Sequence, residues 1–384
     1  MWRVALGLVA TAAFLAFGAG PSRGGGSPHE GAKPWLWQCE QILGEEPRYR
    51  CYVRMLLLRV EGSGDPAREL PRIDRLARLA GTSLAGRCHV LMHEVGRRYA
   101  ARHRLTLATL QDAVPHSNDP TCSAGFGMGL IMQLGPKLAA RGGAEAAART
   151  CLRLPTRYRS YTCVHGLGHA LMRGFHGGLR RSVLACRRLG PREAPDCAQG
   201  AFHDYWISLR GADGTSRPAR ADMSPRSVCN GHLWFVRPCW YRYFVEQASG
   251  PRLETTGHIL RACRDLVRLQ RSGCVAAASL AISGDSFAHT RLCGQLAERD
   301  VGSCLRGVQV QAVTRPARRL ALIRACARLP RGTRRGCYDW FGRTLQVVSD
   351  GTFAGAGCTR LGRPARRACL AGAEQADGAM LTFS

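Results

Sequence analysis

Cys151-Leu-Arg-Leu-Pro155-Thr-Arg-Tyr-Arg-Ser-Tyr-Thr-Cys163-Val-His165-Gly-Leu-Gly-His169 sets the plan of this 384-residue chain. The stretch holds a cysteine, a Leu three residues on, a Pro turn, a second cysteine and a helix-like run. Its two histidines are four residues apart. The same spacing returns at Cys186/Cys197, Cys229/Cys239, Cys263/Cys274, Cys293/Cys304, Cys326/Cys337 and Cys358/Cys369. Cys39/Cys51 is an earlier copy, and Cys88 and Cys122 are left to bond each other. These pairs use all eighteen cysteines.

Other positions recur with the cysteines. A Leu stands three residues after the first cysteine at Leu154, Leu189, Leu266, Leu296, Leu329 and Leu361. Pro or Gly falls in the gap, and a small residue often stands three after the second cysteine, as at Gly166, Gly200, Ala277, Gly307 and Gly372. An apolar-periodic run such as Ala317 to Cys326 reads as a helix, which the Pro or Gly then ends. The second cysteine is expected to open a return helix. Two cysteines flanking such a turn come within disulfide reach, with Cα atoms about 5.5 Å apart. Each closed loop then contributes roughly 2–3 kcal/mol by loop entropy. One hairpin cannot bury its apolar face alone, whereas stacked hairpins can. The expected fold is therefore all-α, an α-solenoid-like array of disulfide-stapled helical hairpins following an N-terminal signal or anchor segment.

Period, paired cysteines and helix–turn–helix pattern over roughly residues 140–375 resemble the Sel1-like and TPR-like helical-repeat secreted proteins. The first half resembles uncharacterised secreted bacterial proteins rich in Cys and His, through its Cys-His-x-x-x-His and Cys-x-His-Gly-x-Gly-His runs. The domain reading is residues 1–20 as signal peptide or anchor, 21–34 as flexible linker, 35–140 as an N-terminal helical region and 141–384 as the regular repeats.

Val4 to Ala19 is apolar, follows Arg3 and precedes a Pro/Ser/Gly stretch, the pattern of an export signal. It is short for a membrane-spanning helix. Paired cysteines behind such a signal imply an oxidising compartment, so the chain is expected to be secreted or periplasmic. The alternative is an N-terminally anchored protein facing the extracytoplasmic side. Clusters of closely spaced cysteines for zinc are absent from the sequence.

The formal net charge is +28, and only Lys33 and Lys137 are lysines. Basic runs are not interleaved with aromatics as a single-strand binder requires. Nucleic acid is therefore not the expected partner. A protein, a peptide or a cell-envelope polymer is, with membrane contact only through an uncleaved N-terminal segment.

Cys39 to Val60 reads as a first hairpin with Glu45-Glu46-Pro47 in its turn, Asp65 to Leu84 as a helix, and residues 106–121 as loop. Three glycines in Cys122-Ser-Ala-Gly125-Phe-Gly127-Met-Gly129 point to close helix packing. Residues 209–228 form the longest insertion in the array. The aromatics after it belong mainly to the core. Trp234, Trp240, Tyr241 and Tyr243 are the candidates for lining a groove for peptide or glycan.

His89/His93 and His165/His169 are each spaced i, i+4, which places both rings on one helix face. His203 stands six residues after Cys197, the same offset as His169 from Cys163. Stacked repeats would then gather His89, His93, His165, His169 and His203 into a site for zinc or another divalent metal. Glu94 is the candidate ligand or general base, with Asp204 beside it. The H-E-x-x-H order of metalloproteases is absent. Buried histidines bonded to backbone are the alternative. Two function classes follow. The leading one is an extracytoplasmic binding scaffold without assigned catalysis. The second is a metal-binding protein or metal-dependent enzyme built on the two His pairs.

Overall fold

A computed structural model describes residues 34–79, 83–115, 122–208, 224–247, 261–281 except 262, 293–307, 316–348 and 357–374. The N-terminal segment of residues 1–33 and most of the insertion, residues 209–223, lie outside this set.

The described residues form eighteen α-helices, a short 3-10 turn at Leu233–Phe235 and no strand. The first seven helices are α1 (Pro34–Glu40), α2 (Glu45–Gly62), α3 (Pro66–Leu79), α4 (Ser83–Arg102), α5 (Leu110–Ala113), α6 (Cys122–Met132) and α7 (Gly135–Leu138). Then come α8 (Gly143–Leu152), α9 (Arg157–Gly174), α10 (Leu179–Arg187), α11 (Glu193–Ser208), α12 (Pro225–Asn230) and α13 (Val236–Gln247). The C-terminal helices are α14 (Arg268–Ala281), α15 (Glu298–Gly307), α16 (Pro316–Arg328), α17 (Arg331–Val348) and α18 (Arg363–Glu374).

All nine expected disulfides form, and no described cysteine is free. Their Cα separations run from 5.0 to 5.8 Å. Cys122 opens α6, but the second cysteine of the hairpin pairs does not open its helix. Cys163 is the seventh residue of α9, and Cys51, Cys274, Cys304, Cys337 and Cys369 are also the seventh of theirs. The reason lies in the cap. Thr156 follows the Pro155 turn, and its hydroxyl accepts the Arg159 N–H at 3.0 Å, so the helix starts two turns before the crosslink. The Cys151–Cys163 staple thus ties the end of one helix to the second turn of the next.

Cys51 bonds Cys39 as expected and is half-buried, packed against the apolar core, whereas every other cysteine is buried.

Three other expectations shift. Glu45, Glu46 and Pro47 form the first turn of α2 rather than a loop, as acidic residues and Pro suit a helix N-terminus. The helix starting at Pro66 is described to Leu79, and Leu84 belongs to α4. Inside the expected 106–121 loop, Leu110 anchors the one-turn helix α5 and is buried.

The long helices stack in sequence: α4 on α6, α6 on α9, α9 on α11, α11 on α13, α13 on α14, α14 on α15, and α17 on α18. Glycines set the tightest crossings. A Cβ at Gly168 would strike the Cys197 carbonyl, and one at Gly200 the His165 carbonyl. Gly342 and Gly372 meet the carbonyls of Cys369 and Asp339 in the same way. The small residue three after the second cysteine is thus a contact point between repeats, because only a bare Cα lets two helix backbones touch.

One apolar cluster runs from Leu36 to Trp240 and continues across residue 140. A second includes Trp340 and Phe341 together with Ala124 and Tyr158 from α6 and α9. Helix α17 also touches α9 directly. The array therefore curls back on itself, and its later repeats lean on its middle.

Candidate metal centre

The five histidines meet. Glycines at two helix crossings prepare the meeting. On one side of α6, Gly125 and Gly129 press on the carbonyls of His89 and His93 in α4. On its other side, Gly166 of α9 lies against Met128 and Ile131. With α4 and α9 drawn close to α6 on both flanks, the His93 and His169 rings reach a centroid separation of 5.0 Å. Gly168 and Gly200 hold α11 equally close to α9. There the His203 ring lies 4.9 Å from that of His169 and 5.5 Å from that of His165. His89 completes the group, its Nε2 3.2 Å from that of His93.

His93, His165, His169 and His203 are buried, His165 completely. His89 is half-buried, and the Asp204 side chain is 29% exposed, so the cluster opens on that side. Burial pushes the pKa values of His93, His165 and His203 well below the ordinary histidine value, and the Arg242 charge adds to the effect. These imidazoles are neutral at physiological pH, the state in which they ligate metals.

The partners show which way the ring nitrogens face. His169 Nδ1 lies 3.1 Å from Asp204 Oδ1 and donates to it, which turns Nε2 toward the other rings. His203 Nε2 lies 3.2 Å from Glu246 Oε1, so it donates and Nδ1 is bare. Arg242 Nη2 lies 3.4 Å from His165 Nε2 and can only donate, so that nitrogen is bare too. Three ring nitrogens face one another. His203 Nδ1 is 3.1 Å from His169 Nε2 and 3.3 Å from His165 Nε2. Nitrogens at that distance share either a proton or a cation.

The spacing also fits an ion. Two nitrogens bound tetrahedrally at about 2.0–2.1 Å lie about 3.3 Å apart. One nitrogen from each of His165, His169 and His203 falls within 4.8 Å of the others. Asp204 and Glu246 behind two of the rings make the carboxylate–histidine pairs that orient metal ligands and fix their tautomers.

Glu94, the expected ligand or general base, is engaged elsewhere. Its carboxylate accepts from Arg97 at 2.8 and 2.6 Å and from Arg98 at 2.7 Å. Burial acts to raise its pKa, but these two arginines outweigh it and hold the carboxyl below its usual value. Asp204 and Glu246 are the carboxylates that contact rings of the cluster.

The sequence reasoning missed Glu246, Arg242 and Tyr161. Glu246 stands seven residues after Cys239, as Asp204 stands seven after Cys197, so a matching offset was there to read. Arg242 lies one turn before Glu246, 3.9 Å from its carboxylate. The Tyr161 ring is 5.8 Å from that of His165, and its hydroxyl donates to Gln199 Oε1 at 2.9 Å.

The aromatic candidates divide. Trp240 and Tyr241 are buried, and Tyr243 packs edge-on against both Trp206 and Trp240. Trp234 is 57% exposed, with the Arg187 guanidinium 3.6 Å above its ring. Four of these rings do not form one groove.

No family model matches the chain, and no curated protein or solved structure is significantly similar to it.

Proposed function

We propose that this protein is an extracytoplasmic metalloprotein that binds a divalent transition-metal ion through His165, His169 and His203. Zinc is the first candidate, since imidazole also suits copper, nickel and iron and no thiolate is near to choose among them. The observation that carries the reading is the convergence of three ring nitrogens: His169 and His203 each hold a carboxylate at the opposite ring nitrogen, and His165 Nε2 itself faces Arg242. His93 and His89 supply the rest of the imidazole wall. The nine disulfides fit an oxidising compartment, and residues 1–20 are proposed to direct export there. Among the described residues, no helix is long and apolar enough to cross a membrane.

Sites with three protein ligands are the pattern of those that use their metal, whereas closed four-ligand sites chiefly hold a fold together. Here disulfides already pin the helices. The binding-scaffold reading loses support because most of its aromatic candidates are occupied in packing.

Metal analysis of the oxidised full chain tests the proposal. Near-stoichiometric zinc or another transition metal is expected, falling to background in His169→Ala and His203→Ala. Metal-free protein that takes up none of these ions on titration would refute it.

A further inference from the structure

Charge at the cluster is out of balance once an ion is present. The nearby formal charges are Arg242, Glu246 and Asp204, and an imidazole that ligates a metal is neutral. A divalent ion and one guanidinium against two carboxylates leave one positive charge uncompensated. The surplus is larger in effect, because Asp204 is 29% exposed and screened while the Arg242 and Glu246 side chains are 12% and 9% exposed. An uncompensated buried charge is costly and is usually met by an ion of opposite sign.

Arg242 is placed to receive that ion. Its Nη2 touches His165 Nε2 at 3.4 Å, so the guanidinium borders the metal position itself. Its Nε is buried and has no hydrogen-bond partner. A buried N–H without a partner is rare enough to need an explanation. The Tyr241 ring lies under the guanidinium at 5.4 Å and helps fix its plane. Of the groups around the triad, Arg242 alone is a permanent donor with no acceptor character.

Resting on the metal reading above, we propose that the ion's open coordination position takes a small anion, of carboxylate or carbonate size, held jointly by the metal and Arg242. The anion's donor atom binds the ion, and a second atom accepts from the guanidinium. No bond is made or broken. The guanidinium gives up its contact with His165 Nε2 when the metal takes that nitrogen, and turns to the anion. This makes an anion the class of substrate or ligand to seek for the site.

The full-length oxidised protein loaded with cobalt(II) gives the readout, because the visible bands of cobalt report its ligands. Titration with azide and with acetate should shift those bands saturably. Arg242→Gln should retain cobalt and weaken azide at least about tenfold, the loss of one hydrogen bond to a charged group. Arg242→Lys should stay within a few-fold. Azide without effect on the wild-type spectrum, or bound equally by Arg242→Gln, overturns the inference while leaving the metal site standing. Failure of the wild type to bind cobalt removes both. If Arg242→Gln loses cobalt, the wild type decides alone: azide binding more tightly than neutral imidazole supports the anion position, and the reverse order overturns it.

Discussion

Gly200 lies so close to the backbone oxygen of His165 that a methyl group on its Cα would overlap that oxygen. The contact couples the His165 backbone to the helix bearing His203. Gly200→Ala should push α11 away from α9, since overpacking of this kind costs about 1–3 kcal/mol and the obstacle is backbone. Lower melting temperature and weaker metal binding are expected together. Gly336→Ala is the control. Gly336 is exposed within α17, and a Cβ there would meet nothing within 4 Å. That change should stabilise by up to about 1 kcal/mol through helix propensity. Thermal scans with and without chelator check both.

Asp204→Asn and Glu246→Gln should each keep the fold and weaken metal affinity by about 10- to 100-fold, the usual effect of removing a carboxylate behind a ligating imidazole. Competition against a chromogenic chelator measures it. Equal affinity in both variants would mean that these carboxylates orient nothing.

Asp196 predicts a pH dependence away from the histidines. Burial pushes its carboxyl well above the ordinary value, with Arg157 opposing and Glu193 adding to the rise. A folded-state pKa above the unfolded one makes a contribution that is complete below the unfolded value. It is lost as pH rises through the folded value. Asp196→Asn should thus match the wild type in acid and become the more stable protein towards neutrality. Urea melts across that range test the divergence.

Arg271 grips Asp300 with two bonds, Nε to Oδ1 at 2.8 Å and Nη2 to Oδ2 at 2.6 Å. Asp300 is buried. Arg271→Met should cost about 3–5 kcal/mol by stranding the carboxylate. The double change with Asp300→Leu should recover much of that loss. Additive penalties in denaturant melts would count against the pairing.

What could be read from the sequence was whatever repeats. The Cys spacing identified each staple, because local crosslinks between consecutive helices depend on short separations. It could not show that Cys51 is less covered than its counterparts, since spacing does not report cover. The i, i+4 histidines and the offset shared by His169 and His203 gave the five rings, because a repeated unit places equal offsets on equal faces. Arg242 and Glu246 escaped because the repeat of Cys229 and Cys239 has no histidine at that offset to draw attention to its Cys-plus-seven carboxylate. Glu94 misled because adjacency in sequence to His93 turns a side chain about 100° around the helix, here toward Arg97 and Arg98. The return of α17 to α9 depends on the summed twist of many units, which no single spacing encodes.

That return changes how the molecule should come apart. A linear stack can fray from either end, one unit at a time. Here Trp340 and Phe341 share an apolar cluster with Tyr158, in the helix that carries His165 and His169. Loosening the far end exposes side chains at the centre, so the last repeats and the histidine helices should melt in a single transition.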